Sequence, residues 1–501
     1  MSNHDGSADW EVALADLAQR RVASRSMGGE TRLAKHRGAG KLDVRARVDR
    51  LLDPGSFQEL GTLVGGEEAP ADAVVMGSGR IEGRPVMVAA EDFTVMAGTI
   101  SHSANAKRYR VAEIAASDRV PLVMMLEGAG FRADGRTSSR SPTDLLAQSR
   151  CSGRVPLVTA VLGASAGHGA LVAPMSDFTV MSRQASIFTA GPPVVYESLG
   201  ETITKEDLGG PGVAVASGLI HNVADDDAAA IDLVRRYLGF FPSSAWSYPE
   251  YVAGGDDDPR ELPELLDLIP RNGRRVYDMR KVIDVVFDRD SAFEVQPEFG
   301  RSMITSLCRL GGHPVAVVAN QPMVLAGSID ADAADKGAHF ISVADSFHLP
   351  LVFLTDNPGV LPGRVSEGRA ILRSGARMYA AQTQATSPKF EITIRKAYGF
   401  GSMVMGMIPF DGQSAVYALP GATMGAMGAA AMSRARGSDE DETALLHSLE
   451  LEASYRSAQS FGFDEMIDPR EIRNVLLHSL DRALHRRQVA PVPVARIGIV
   501  P

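Results

Sequence analysis

Cysteine is nearly absent from this chain. Only Cys151 and Cys308 occur among 501 residues, which excludes a disulfide framework and a Cys-rich zinc cluster and leaves two core thiols; no metal site is expected. An excess of positive charge is missing too. The 51 basic and 61 acidic residues give a formal net charge of -10, which argues against an extended nucleic-acid surface while permitting a local phosphate site. A long uninterrupted apolar run is also lacking. Val155 to Ser176 carries no charge, but two prolines, three glycines and His168 break it, so it reads as a buried strand, loop and helix rather than a membrane span. The start, Met1-Ser2-Asn3-His4-Asp5, has neither the basic nor the apolar region of a signal peptide, and a cytoplasmic protein is expected.

What is present is enough apolar material for two cores. With 45% hydrophobic residues, the length suits two domains of about 200–250 residues. The first sixty residues look helical. Asp9 can cap a helix from Trp10, and Lys41–Leu52 repeats Leu42, Val48, Leu51 and Leu52 at helical spacing before Pro54-Gly55 stops it. Arg32, Lys35, His36, Arg37 and Lys41 read as a solvated basic face or as contacts to a ligand's phosphates. From about residue 75 the pattern becomes α/β. Val86–Ala90, Leu122–Leu126, Leu157–Leu162 and Phe390–Ile394 read as strands and Ala104–Ser117 as a helix.

The chain repeats itself. Pro85-Val86 falls on Pro314-Val315, Ala97-Gly98 on Ala326-Gly327, Lys107 on Lys336, Pro121-Leu122-Val123 on Pro350-Leu351-Val352, and Gly130 on Gly359, all at one offset of 229. The match resumes at offset 232, with Pro156 on Pro388, Gly167 on Gly399 and Gly169 on Gly401. Proline, glycine, lysine and apolar matches at fixed spacing mean a tandem pair of one fold. The polar stretches Gly254-Gly255-Asp256-Asp257-Asp258-Pro259 and Ile269-Pro270-Arg271-Asn272-Gly273 suggest a linker, giving domains over 1–260 and 270–501. Near the end, Asp468-Pro469 with Glu471 opens a helix carrying Ile472, Val475, Leu476 and Leu480, and the acidic run Asp439–Glu442 reads as a solvated turn.

In each repeat an apolar strand breaks into glycine and resumes as a small-residue helix, at Ala166-Gly167-His168-Gly169 and at Tyr398-Gly399-Phe400-Gly401. A strand that opens through glycine into a helix start presents free N–H groups able to hold a developing oxyanion. Glycines that merely allow tight strand–helix packing are the plainer alternative. Glu127-Gly128-Ala129-Gly130 and Asn357-Pro358-Gly359-Val360-Leu361-Pro362-Gly363 are repeat partners at strand ends, where α/β domains place ligands. Gly163-Ala164-Ser165-Ala166-Gly167 also fits the serine-hydrolase elbow, although the repeat puts Ala397 opposite Ser165 and no partner Asp and His stand out.

These residues resemble a known family, the carboxyltransferase β subunits of biotin-dependent acyl-CoA carboxylases of the propionyl-CoA carboxylase type. The resemblance rests on Asn320-Gln321-Pro322, Asp330 to Lys336, Asn357 to Gly363 and Ile394 to Gly399, supported by Gly40-Lys41-Leu42 with Arg45 and Arg47, Phe188 to Pro192, Leu208-Gly209-Gly210 and Ile467-Asp468-Pro469. It implies an α/β fold built as a tandem pair of crotonase-like (ClpP/crotonase) domains, acyl-CoA on the N-terminal one and carboxybiotin on the C-terminal one, with subunits facing each other in a homo- or hetero-hexamer. There is no Met-Lys-Met biotin-attachment signature and no evident ATP-binding carboxylase module. Biotin would therefore come on a partner, a biotinylated α subunit with biotin carboxylase and carrier functions.

By motif position the resemblance assigns the acyl-CoA oxyanion hole to Gly167 and His168 and the biotin hole to Phe400 and Gly401. It puts Gly128, Ala129, Gly130, Gly169 and Met403 near the substrate and Pro358, Gly359, Tyr398 and Gly399 near biotin. Where the family has Gly-Gly this chain has Gly167-His168, and Phe400-Gly401 stands for Gly-Ala. Two alternatives keep the fold: a non-catalytic subunit of a hetero-oligomeric carboxylase, and a decarboxylase of malonyl-type CoA or a hydratase-like crotonase.

Overall fold

A computed structural model describes residues 5–132, 142–254, 256 and 258–493, with side chains from residue 9 onward. Met1 to His4 of the expected start, and Gly255 and Asp257 of the expected linker, lie outside the described residues. The chain forms two compact units that divide between Gly239 and Phe240. Residues after 240 are tied into the second unit, where Val252 N donates to Gly312 O at 3.1 Å. The Ile269–Gly273 stretch is no loose connection: Ile269 is buried, and the carbonyls of Pro270 and Asn272 each accept from Arg395 Nη1 at 3.1 Å.

The first unit holds strands β1 (Gln58–Leu60), β2 (Val74–Ile81), β3 (Arg84–Glu91), β4 (Leu122–Gly128), β5 (Leu157–Ala166), β6 (Phe178–Ser182), β7 (Ser186–Phe188) and β8 (Asn222–Ala224). They run in the order β1-β2-β3-β4-β5-β6-β8, with β7 paired to the far end of β5. The second unit holds β9 (Phe293–Val295), β10 (Met303–Leu310), β11 (His313–Asn320), β12 (Leu351–Asn357), β13 (Lys389–Tyr398), β14 (Ala415–Ala418), β15 (Thr423–Gly425) and β16 (Glu465–Met466). Their order, β9-β10-β11-β12-β13-β14-β16 with β15 on β13, is the same sheet again. From β3 to β6 and from β11 to β14 the pairing is parallel. Strands buried on both faces read as unbroken apolar runs, which is why the sequence marks them well.

The repeat holds at the level of single residues. Met87 pairs with Leu122 and Ala316 with Leu351, and both sheets break register at the same place, between Leu126 and Gly128 and between Thr355 and Asn357. After β3 and β11, Met96, Ala97 and Gly98 take positive φ, as do Leu325, Ala326 and Gly327. The helices that follow, His102–Asp118 and Ala331–Ser346, are capped by Ser101 and Asp330. Each carries a buried lysine into a ring of carbonyls: Lys107 Nζ donates to Gly61 O at 3.2 Å and Ala71 O at 2.8 Å and also bonds Val74 O, and Lys336 Nζ to Gln296 O, Phe299 O and Met303 O at 2.8–3.0 Å. Three donors on one ammonium satisfy backbone oxygens that burial would otherwise strand.

Several local expectations change. The first helix runs Asp5–Ser24, so Asp9 lies inside it and caps nothing. The next amphipathic helix is Val44–Leu51, capped by Asp43. The acidic run Asp439–Glu442 is a helix start, not a turn: Asp439 accepts from Glu442 N and the helix Glu440–Leu451 follows, its first-turn carboxylates set against the positive end of the helix dipole. Asp468 caps the short turn Pro469–Glu471, and Ile472–Leu484 buries Ile472, Leu476 and Leu480. Cys151 and Cys308 are free and buried, and burial pushes the Cys151 thiol up to about 12.

Candidate active site

Both glycine turns sit where a central strand ends. β5 runs to Ala166 and a short helical segment, Gly167–Val172, begins at once; β13 runs to Tyr398 and Gly399–Val404 begins. Gly167 has φ 59 and Gly399 has φ 55. A side chain is strained at that angle, so glycine is what lets the strand reverse into a helix start. The following N–H groups, at residues 168 and 169 and at 400 and 401, lie in first turns that lack intrahelical acceptors.

A neighbouring loop borders each turn. Gly130 O accepts from Ile100 N at 2.8 Å, and Gly359 O from Ile329 N at 3.2 Å. Ala129 and Pro358, partners in the repeat, are exposed, while Gly128, Gly130 and Gly359 are buried. The close approach is tightest at Gly401, where a Cβ would come 2.7 Å from Gly359 Cα. Met403 is half-buried on the same short helix.

The two aromatic rings turn the same way. His168 Nε2 bonds Asp144 Oδ1 at the start of the helix Asp144–Ser149. Phe400 lies against Gly375 in the helix Ile371–Gln384, its ring centroid 6.0 Å from that of Tyr379. Tyr398 is buried with its hydroxyl bonded to Glu450, which also accepts from Ala429 N at 2.9 Å. Burial and the Glu450 hydrogen bond push the Tyr398 phenol above its ordinary range.

Carboxylates at the strand ends are neutralised in both units. Glu127 lies 2.5 Å from Lys41 Nζ and 2.6 Å from Arg47 Nη2. Its repeat partner Asp356 lies 2.7 Å from Arg395 Nε and accepts from the Tyr277 hydroxyl at 2.9 Å. Burial raises the Glu127 carboxyl, but the charges of Arg47 and Lys41 outweigh it and hold the group below its usual range. Lys41 and His36 therefore point inward to Glu127 rather than forming a solvated face.

An apolar hollow of about 430 Å3 opens beside Gly167, lined by Leu171, Ile187, Phe188, Val195, Leu208 and Val213 among others. Its walls suit the hydrocarbon part of a ligand whose polar atom meets the turn. Ser165 belongs elsewhere. It is 1% exposed and its hydroxyl donates to Gly163 O at 3.4 Å, so it is no nucleophile. Sequence reasoning missed Glu91, Arg108 and Asp144, all buried behind the first turn. The one available signal was an arginine beside Lys107 on the helix face otherwise made of Ala104, Val111 and Ala115.

Two crotonase-like domains in tandem, each ending a central strand in a glycine turn over a bare backbone loop, define the class of protein. The carboxyl transferase domain matches residues 35–496. The 12S subunit of methylmalonyl-CoA carboxyltransferase from Propionibacterium freudenreichii subsp. shermanii is 34% identical, over 97% of this chain and 97% of that one. The methylmalonyl-CoA decarboxylase subunit alpha of Veillonella parvula is 35% identical, over 92% and 94%. The crystal structure of the transcarboxylase 12S hexamer with hydrolysed methylmalonyl-coenzyme A bound superposes with TM-score 0.89 at 33% identity, covering 97% of this chain and 98% of that one. The chain belongs to the carboxyl transferase family, and its enzyme class is biotin-dependent acyl-CoA carboxyltransferase.

Proposed function

We propose that the first unit holds an acyl-CoA thioester, that the second receives carboxybiotin from a partner protein, and that a carboxyl group moves to the thioester's α-carbon. The observation that carries this reading is the matched pair of turns: Gly167 and Gly399 share a conformation, and both rings that follow them turn onto a helix. Each turn then offers fixed donors to one oxygen. A preset N–H donor of this kind contributes about 3–4 kcal/mol of transition-state stabilisation, because it needs no rearrangement when charge appears.

In this reading the N–H groups of His168 and Gly169 hold the thioester oxygen as it becomes an enolate, with Gly167 leaving the backbone bare. The hollow behind Gly167 takes the apolar part of the thioester and keeps water from the reacting carbon. Gly128, Ala129 and Gly130 would form the opposite rim.

The second unit fits a flat ureido ring. Open space stands where a Cβ of Gly363 would be, and a Cβ on Gly359 would meet only Tyr398 O, at 3.5 Å. Pro358, Gly359, Tyr398 and Gly399 would border the ring, and the N–H groups of Phe400 and Gly401 would hold its carbonyl oxygen. When bound, carboxybiotin would supply the carboxyl group as CO2, and the biotin so freed would accept the α-proton that the thioester gives up. Further parts of this proposal are a biotinylated α-type partner subunit, a hexameric assembly, a cytoplasmic setting, and division of the two roles between the two units, whose boundary in the chain falls between Gly239 and Phe240. Among the described residues no helix is long and apolar enough to cross a membrane.

The test supplies purified protein with a biotinylated partner, ATP, bicarbonate and acyl-CoAs of several lengths. Carboxylated thioester is expected, and its formation should stop when avidin sequesters the biotin. Stable assembly without turnover would favour a structural subunit, and CO2 release from malonyl-type CoA without transfer would favour a decarboxylase.

A further inference from the structure

The two turns are wired differently although their backbones match. In the second unit Asn320 Oδ1 accepts from Asp356 N at 3.1 Å and from Asn357 Nδ2 at 3.2 Å, and Asn357 Oδ1 accepts from Gly359 N at 3.0 Å. These supports are neutral amides. In the first unit Glu91 stands at the position of Asn320, and its Oε2 accepts from Glu127 N at 2.8 Å. Its other oxygen meets a cation, Arg108 Nη1, at 2.6 Å. Residue 337, opposite Arg108 in the repeat, is glycine.

Arg108 is a hub. Besides Glu91, its Nε reaches Asp144 Oδ2 at 2.5 Å and its Nη2 donates to Gly169 O at 3.2 Å. Asp144 is fully buried and is held by Gln148 Nε2 at 3.0 Å and, through its backbone N–H, by Asn105 Oδ1 at 3.0 Å. The remaining carboxylate oxygen takes His168 Nε2. An ionised carboxylate only accepts, so Nε2 carries the proton in this contact. The Gly167–Gly169 turn is thus gripped twice from one buried cation, at Gly169 O directly and at the His168 ring through Asp144.

We propose that His168 is a positioning residue for the thioester enolate, its ring acting through Asp144 and Arg108 to fix the direction of the N–H groups at residues 168 and 169. This rests on the acyl-CoA reading of the first unit. A donor swung off line loses most of its value to a developing charge and little of its value to a neutral carbonyl. Loss of the ring should therefore weaken binding of an enolate-like ligand more than that of a ground-state ligand. Phe400 has no such partner to hold, since its ring rests on Gly375 and near Tyr379.

The experiment measures the affinity of the full chain for two probes: an unreactive alkyl thioether of CoA, and a nitroalkyl thioether of CoA that ionises to a nitronate resembling an enolate. His168→Ala is expected to lose roughly tenfold in nitronate affinity, part of the roughly hundredfold effect of losing or misplacing a donor, with under about twofold change for the thioether. His168→Gln, which can still donate to Asp144, is expected to recover most of the loss. Equal loss for both probes, no loss for either, or failure of His168→Gln to recover at unchanged melting temperature overturns the proposal alone. Wild-type protein that binds neither probe overturns the acyl-CoA reading and the proposal together.

Discussion

Phe400 lies across Gly375, so that a Cβ added at residue 375 would come within 2.8 Å of Phe400 Cε1. His168 makes the corresponding move in the first unit, toward Asp144 instead of a glycine. The bulky residues in the two turns are accommodated by what faces them, one by empty space and one by a carboxylate. In both turns the ring is thus drawn onto the neighbouring helix.

Filling the space should expose it. Gly375→Val is expected to push the Phe400 ring off its helix, costing about 1–3 kcal/mol of stability. Carboxyl transfer should fall through a higher KM for the biotin donor, with the KM for acyl-CoA unchanged. Denaturant titration and initial rates against each substrate check this.

The bare backbone at residue 401 is a stricter requirement. Gly401→Ala would place a Cβ 2.7 Å from Gly359 Cα, which forces the two loops apart. A displacement near 1 Å is expected to lower turnover by about 10²-fold, while the overpacking itself costs about 1–3 kcal/mol of stability. Steady-state rates beside a melting curve separate the two effects.

Glu391 gives a stability signature with a defined sign. It is wholly buried, and burial, only partly offset by the nearby hydroxyls of Thr355 and Thr393, of which Thr393 Oγ1 donates to Oε1 at 2.9 Å, pushes its carboxyl up to about 8. Between an ordinary carboxyl value near 4.5 and about 8 the folded chain holds a proton that the unfolded chain has released. Stability contributed here is therefore full below the lower value and lost as pH rises through the upper one. Glu391→Gln is expected to be near neutral at pH ~4.5 and to raise stability by roughly 3–5 kcal/mol above pH ~8. Urea midpoints across that pH range check the trend.

Glu127 should behave in the opposite way. Glu127→Gln takes one carboxylate from the buried Arg47, which keeps Asp227 at 2.7 Å, and removes the partner of Lys41, so a destabilisation of about 1–3 kcal/mol is expected by denaturant titration. Ser165→Ala, by contrast, should leave transfer unchanged, because the hydroxyl serves only the Gly163 carbonyl. Turnover lost with Ser165→Ala and no dependence on biotin would restore the hydrolase reading.

The sheet was legible because buried parallel strands announce themselves: Leu122–Leu126 and Leu157–Leu162 were read from apolar runs, and the fixed offset between Pro85 and Pro314 showed that one sheet occurs twice. The glycine turns were legible because Gly167 and Gly399 fall at one repeat position at the end of an apolar run, and both take positive φ there. What stayed hidden was long-range pairing. Nothing in the local pattern joins Arg108 to Asp144, 36 residues on, or Lys41 to Glu127, 86 residues on. Charged side chains near loops look solvated until the fold buries them, which is why Lys41 and His36 were read as surface. Asp9 and Asp439 show the local limit: the residue expected to cap lies inside a helix, and the run expected to be a turn begins with a cap.

The most direct measurement is a structure of the assembled protein with an acyl-CoA and biotin bound. The thioester oxygen is expected within hydrogen-bond distance of the His168 and Gly169 N–H groups, and the biotin ureido oxygen against those of Phe400 and Gly401, with both rings where they lie now. Either oxygen lying away from its turn, or either ring swung into the place of the carbonyl, would contradict the assignment of one ligand oxygen to each turn.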